Sequence, residues 1–206
     1  MVTIAVCDQA EVYRRDRGRV WSFLQHDKNK AHCLQVAKEI MNIYFAGCSG
    51  QGKTTTANWL SKRLDMDVVD GLSRNSPHQM GSDDHQIYLS QTVFSACRNT
   101  ENSIHCRTPF DVWAYSTVYE RGDLNLDYDH AARFASQSPT VFYFPYWLIP
   151  KSDGFRPTSE ELNKAVDREI RDGIAAFFGE VTPFIVPEGT PEYRVDWIIK
   201  ALELLQ

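Results

Sequence analysis

The string GCSGQGKT, Gly47 to Thr54, follows the spacing G-x-x-x-x-G-K-[ST]. Each residue type in that pattern has a physical task. Glycines let the backbone curl, so that the N–H groups of Gly47, Cys48, Ser49, Gly50, Gln51 and Gly52 point inward at phosphate oxygens. A helix starting directly after the loop adds the positive end of its dipole. Lys53 would reach the β- and γ-phosphates as a point charge, and the Thr54 hydroxyl would bind Mg²⁺, with Thr55 beside it. The pattern implies a nucleoside triphosphate site with ATP and Mg²⁺ as its ligands. The competing reading is a glycine-rich turn that binds nothing.

Other residues offer chemistry to a group held there. Asp70 closes a short apolar run on the side where the loop opens. A carboxylate at that place can take a hydroxyl proton, orient an acceptor or hold Mg²⁺ through water; otherwise it caps the turn before Gly71. Arg74 and Arg107 have the guanidinium fork that suits phosphate oxygens, or they are solvated surface residues. Asp111 and Tyr115, four apart, share a helix face with Arg107 just upstream. That trio would read the polar edges of an acceptor, unless Asp111 pairs with Arg107 to hold the turn. Arg156 sits between Gly154 and a capping pattern, where it would fold over a transferring phosphoryl group or simply lead a helix. Lys164, Arg168 and Arg171 would assist it or keep a helix face soluble.

These positions must be carried by alternating strands and helices. Asn42 to Ala46 (NIYFA) reads as a buried strand ending at Gly47. Thr54 to Leu64 has helical spacing, 66–71 (MDVVDG) is a second strand, and 85–97 is a helix. Residues 102–106 form a weaker strand ahead of a helix from Pro109, and TVFYFP (140–145) is another strand. Thr158 and Glu161 form a capping box before a helix whose Leu162, Val166, Ile170, Ile174 and Phe177 share a side. Residues 183–187 form the last strand, and Pro191 starts a helix with Val195, Ile198, Ile199 and Leu202 on one face. The alternation predicts a three-layer α/β domain, a parallel sheet flanked by helices, with ligands at the carboxyl ends of the strands.

Composition agrees and excludes little else. The chain has 206 residues, 43% hydrophobic and 24% charged, with a net charge of −5. No overall basic field advertises nucleic acid, and no apolar run approaches a membrane span. Five cysteines, odd in number and without a C-x-x-C pair, fit a reduced cytoplasmic protein without structural zinc. No guanine-reading N-K-x-D string occurs, which weakens a GTPase reading. The stretch after Met41 is short for an ATPase core with an added helical lid.

The chain resembles thymidylate-kinase-like P-loop kinases, particularly the small ones of bacteriophages. The resemblance rests on GCSGQGKT with DVVDGLSR (67–74), CRTPFDVWAYS (106–116), SDGFRPTSEEL (152–162) and PEGTPEYRV (187–195). It implies the P-loop kinase fold, ATP-dependent phosphoryl transfer in a cytoplasm (the host's, for a phage protein) and an arrangement compatible with a homodimer. Lys53, Asp70 and Arg156 would be catalytic, and Thr190 would lie in the loop that closes over adenine. Asp70, Ser73, Arg74, Arg107, Asp111 and Tyr115 would hold the acceptor. One departure stands out: relatives carry an acidic residue before the arginine of the third motif, where this chain has Cys106. The resemblance leaves two acceptors, the hydroxymethyl group of 5-hydroxymethyluracil within phage DNA or a free deoxynucleoside monophosphate such as thymidylate. The first requires a flipped base, for which Tyr143, Tyr146, Trp147 and Phe155 would offer stacking surfaces if they are not core. A nucleotide-binding regulator without transfer activity is the alternative from another class.

Residues 1–40 fit none of these motifs. The kinase domain is expected over 41–206, starting at Met41, with 1–40 an upstream extension. Otherwise 1–40 is a helical appendage docked through Leu34, Val36 and Ile40.

Overall fold

Five short runs rich in β-branched and aromatic residues form strands: β1 (Asn42–Ala46), β2 (Asp67–Val69), β3 (Ser103–His105), β4 (Val141–Tyr143) and β5 (Phe184–Ile185). The computed structural model describes residues 42–149, 159–177 and 183–205, so the extension expected over 1–40 lies outside the described residues. Among the described residues, six helices connect and cover the strands: α1 (Lys53–Leu64), α2 (Asp83–Asn99), α3 (Pro109–Tyr119), α4 (Leu124–Ala135), α5 (Glu160–Ala176) and α6 (Pro191–Glu203). Every strand pair is parallel, in the order β2-β3-β1-β4-β5. β1 is central, with Tyr44 opposite His105 of β3 on one side and Val141 of β4 on the other.

Successive strand residues face opposite ways, so β1 divides the core in two. Ile43 and Phe45 pack with Leu60 of α1 and with Ile198 and Leu202 of α6. Tyr44 and Ala46 join Phe110, Phe134, Val166 and Ile170 of α3, α4 and α5. This is the three-layer parallel arrangement that the alternation predicts.

Three details differ from the sequence pattern. Strand β1 matches its expected span, and the other four are shorter at their ends; β2 spans Asp67–Val69 rather than 66–71. The helix α4 is not announced by the pattern. Asp123 caps it, accepting from the N–H groups of Asn125 (3.0 Å) and Leu126 (3.1 Å). Its buried face includes Asp127 and His130 beside Ala131 and Phe134, and these polar members hide the apolar period. They are held by Ser116, which donates to Asp127, and by Ser90, 2.9 Å from His130 Nδ1. Finally, α5 is capped by Ser159, which accepts from Leu162 N–H at 3.3 Å. The cap therefore falls one residue after the box expected from Thr158 and Glu161.

Candidate active site

The central strand β1 runs directly into the phosphate loop, and Gly47 is the first residue to need its lack of a side chain. Its φ is +141°, and a Cβ there would lie 2.4 Å from the Phe144 carbonyl oxygen. The Gly47 N–H donates to Asp111 Oδ1 at 2.8 Å. The other carboxylate oxygen accepts from the Thr108 N–H (2.7 Å) and hydroxyl (2.6 Å), closing a capping box on α3. Asp111 is 1% exposed. One turn further, the Tyr115 hydroxyl donates to Ser49 Oγ at 2.8 Å and accepts from Ser49 N–H at 3.0 Å. The shared helix face of Asp111 and Tyr115 therefore grips the loop from behind instead of reaching into the cavity. Arg107 lies over the Tyr115 ring, 5.4 Å from its centroid, and the Asp111–Arg107 pair considered from the sequence is absent among the described ion pairs.

A second clamp holds the loop's other flank. Gln51 is fully buried, and its Oε1 accepts from the N–H groups of Trp147 (2.7 Å) and Leu148 (2.9 Å). Its Nε2 donates to the Leu148 carbonyl at 2.8 Å. Arg194 of α6, 4% exposed, donates to the Gln51 carbonyl at 2.8 Å and lies 4.9 Å from the Trp147 ring centroid. A Cβ on Gly52 would meet that guanidinium at 2.6 Å. The side chain of Gln51 thus ties the loop to the segment after β4. The aromatic residues expected as base platforms have structural contacts too. Tyr143 donates to Asp167 Oδ1 at 2.5 Å, and the Tyr146 N–H donates to the same oxygen at 3.0 Å. Phe155 and Arg156 lie outside the described residues.

The Lys53 ammonium donates to the carbonyls of Gly47 and Cys48, the latter at 2.8 Å. Burial pulls its pKa below the ordinary lysine value, while the Asp111 carboxylate acts in the opposite direction. Burial pushes the neighbouring Cys48 thiol up to about 12, which keeps it protonated.

An open cavity of about 380 Å³ lies between this loop and the carboxyl ends of β2 and β3. Ser49, Gly50, Gln51, Gly52, Lys53, Thr54 and Thr55 form one wall. Asp70, Ser73, Arg74 and Arg107 face them from the other. Thr54 Oγ1 donates to Asp70 Oδ2 at 2.9 Å, so the two walls touch where the loop enters α1. Cys106 also lines the cavity, its thiol pushed up to about 12 by burial and by the Asp70 carboxylate. A neutral thiol is no substitute for the acidic residue expected there.

The hydroxyl and carboxylate oxygens of Thr54 and Asp70 are hard donors that suit Mg²⁺. No group of three or more His, Cys, Asp or Glu able to hold a metal occurs among the described residues. An ion here would take most of its shell from water and phosphate, as Mg²⁺ prefers.

Of the residues singled out from the sequence, Gly47, Cys48, Asp111 and Tyr115 lie behind the cavity wall. Thr190 caps α6, accepting from Tyr193 N–H at 3.3 Å. Lys164 pairs with Glu160 at 2.6 Å and Arg171 with Asp167 at 3.6 Å, one turn apart on α5. The sequence pattern does not mark Leu72 and Met80, which line the cavity, or His85, whose Nε2 is 3.2 Å from Ser73 Oγ. Leu72 lies within the DVVDGLSR stretch; nothing local points to His85.

Comparison with known proteins agrees with this architecture. A family model described as an AAA domain matches residues 42–194. No curated protein matches the chain. Among solved structures, deoxyadenosine kinase from M. mycoides, with dCMP and a flexible dCDP bound as products, is 20% identical with a TM-score of 0.61. The alignment covers 81% of this chain and 100% of that one. Thymidylate kinase from Candida albicans is 15% identical with a TM-score of 0.58, over 81% of this chain and 92% of that one. Shikimate kinase from Acinetobacter baumannii, in complex with shikimate, is 15% identical with a TM-score of 0.54, over 82% and 96% respectively. The fold is that of P-loop kinases.

Proposed function

Because the chain belongs to the AAA domain family, we propose that its phosphate loop serves an ATP-dependent phosphotransferase of the thymidylate-kinase-like group. The observation that carries this reading is the 2.9 Å contact between Thr54 Oγ1 and Asp70 Oδ2, with Arg74 and Arg107 lining the same cavity. Anionic groups arriving from both sides would meet cations on both. The loop amides other than those of Gly47 and Ser49, which Asp111 and Tyr115 occupy, hold the triphosphate together with Lys53, which turns from the loop carbonyls to the β- and γ-oxygens. Thr54 and Asp70 would hold Mg²⁺, which would supply charge neutralisation for those oxygens. Asp70 orients the attacking oxygen, and Arg74 and Arg107 position the acceptor's anionic part. Arg156 is assigned to the transferring phosphoryl group by resemblance alone.

The acceptor is a deoxynucleotide, either 5-hydroxymethyluracil within DNA or a free deoxynucleoside monophosphate such as thymidylate. An open cavity flanked by the exposed Arg74 supports the first. The fold likeness to kinases of free nucleosides and nucleotides supports the second. The test offers ATP labelled at the γ-phosphate with DNA carrying 5-hydroxymethyluracil and, separately, with free deoxynucleoside monophosphates. Label on the DNA base selects the first acceptor, and label on a nucleoside diphosphate selects the second. Intact ATP with both leaves a nucleotide-binding regulator.

A further inference from the structure

Arg194 sits near the start of α6 and does not line the cavity, yet it holds the phosphate loop from behind. Its Nη1 donates to the Gln51 carbonyl at 2.8 Å. Peptide bonds among the described residues are all trans, so the carbonyl of Gln51 and the N–H of Gly52 point in opposite directions. With that carbonyl turned back to Arg194, the Gly52 N–H is turned toward the cavity that Gly52 lines. This N–H donates to no group among the described residues. Gly52 also gives the guanidinium its room, since a Cβ there would lie 2.6 Å from Nη1.

The charge of Arg194 is not balanced within the described residues. The side chain is 4% exposed, and its Nε is buried without a hydrogen-bond partner. Around it are one carbonyl and the rings of Trp147 and Phe144, whose centroids lie 4.9 and 5.9 Å from the guanidinium carbon. Those groups offer partial charges only. Glu188, exposed in the loop before α6, favours the charged form but makes no ion pair with it among the described residues. The starts of α1 and α6, on either side, add positive dipole ends. A buried cation without a carboxylate is costly, and an arriving anion offsets that cost.

We infer that Arg194 is a positioning residue for the donor phosphates: it aims the Gly52 N–H at them, and their charge balances its guanidinium. The guanidinium, the Gln51–Gly52 peptide and a phosphate oxygen form a chain in which each dipole polarises the next. The inference rests on the proposed function only in reading the loop as a triphosphate cradle, and it does not depend on transfer to an acceptor.

Calorimetric titration of the full-length protein with inorganic tripolyphosphate, and separately with ATP, each with Mg²⁺, tests this in Arg194→Lys and Arg194→Gln. Lysine keeps the charge and a donor; glutamine keeps a donor alone. Arg194→Gln should weaken both ligands about tenfold, the worth of one charge-assisted hydrogen bond, and Arg194→Lys should restore most of the affinity. In denaturant titration without ligand, Arg194→Gln should be no less stable than Arg194→Lys, because glutamine leaves no buried charge to balance. Unchanged affinity for tripolyphosphate in Arg194→Gln, or a loss confined to ATP, overturns the inference. An Arg194→Gln chain that is unfolded, or clearly less stable than Arg194→Lys, shows a structural role and overturns it as well. A wild-type chain that binds neither ligand overturns it together with the cradle. Binding that depends on Arg194 as stated, without transfer to any acceptor in the labelled-ATP assay, supports the inference and counts against the phosphotransferase reading.

Discussion

The two walls of the cavity are built differently. On the phosphate-loop side, Asp111 and Gln51 are buried to 1% and 0% exposure, and Tyr115 and Arg194 complete a clamp on each flank. On the other side, Asp70 and Arg74 are exposed and the turn they share is tied to α2 by the Ser73–His85 contact. A cradle for a highly charged triphosphate gains from amides fixed in advance, because they need no reorganisation when charge arrives. An acceptor wall that is left exposed can adapt to a molecule of more variable shape. On the proposed function, donor affinity would be coupled to the stability of the fold, and acceptor affinity would be largely separate from it.

Substitutions sharpen or break this contrast. The largest effect belongs to Lys53→Ala, which should lower transfer at least a hundredfold, measured with labelled ATP, because no other loop side chain carries positive charge to the γ-phosphate. Asp111→Ala comes next. It leaves the buried N–H groups of Gly47 and Thr108 without their acceptor and should cost about 3 kcal/mol of stability in denaturant titration. MgATP affinity should fall with it. Tyr115→Phe removes both contacts to Ser49 and should cost about 1–2 kcal/mol, again with weaker nucleotide binding. Arg74→Ala should be mildest for the fold, shifting stability by about 0.5 kcal/mol or less while raising the acceptor KM about tenfold. If Tyr115→Phe altered only the acceptor KM, or Arg74→Ala unfolded the protein, the contrast between the walls would be wrong.

Much of this architecture is legible in the chain. The loop, the alternation of strands and helices, and the face shared by Asp111 and Tyr115 come from spacing alone, because those signals are local. What the shared face touches is not local. A carboxylate and a phenol four residues apart suit an acceptor pocket as well as the back of a loop more than sixty residues away. Only the parallel pairing of β1 with β3, which brings the start of α3 against Gly47, decides between them. The helix α4 is hidden for a related reason. Asp127 and His130 are polar in sequence yet buried, and their partners Ser116 and Ser90 come from other helices. His85 leaves no trace because its significance lies in one contact with a residue twelve positions earlier.

Binding of a triphosphate in a cradle formed before the ligand arrives is the proposal on which the rest depends. Titration calorimetry of the full-length protein with ATP and Mg²⁺ probes it without any assumption about the acceptor. Saturable binding at one site is expected, weakened more than tenfold by Lys53→Ala and also by Tyr115→Phe, with omission of Mg²⁺ reducing affinity. Failure of the wild-type chain to bind the nucleotide, or equal affinity in wild type and Lys53→Ala, would contradict it.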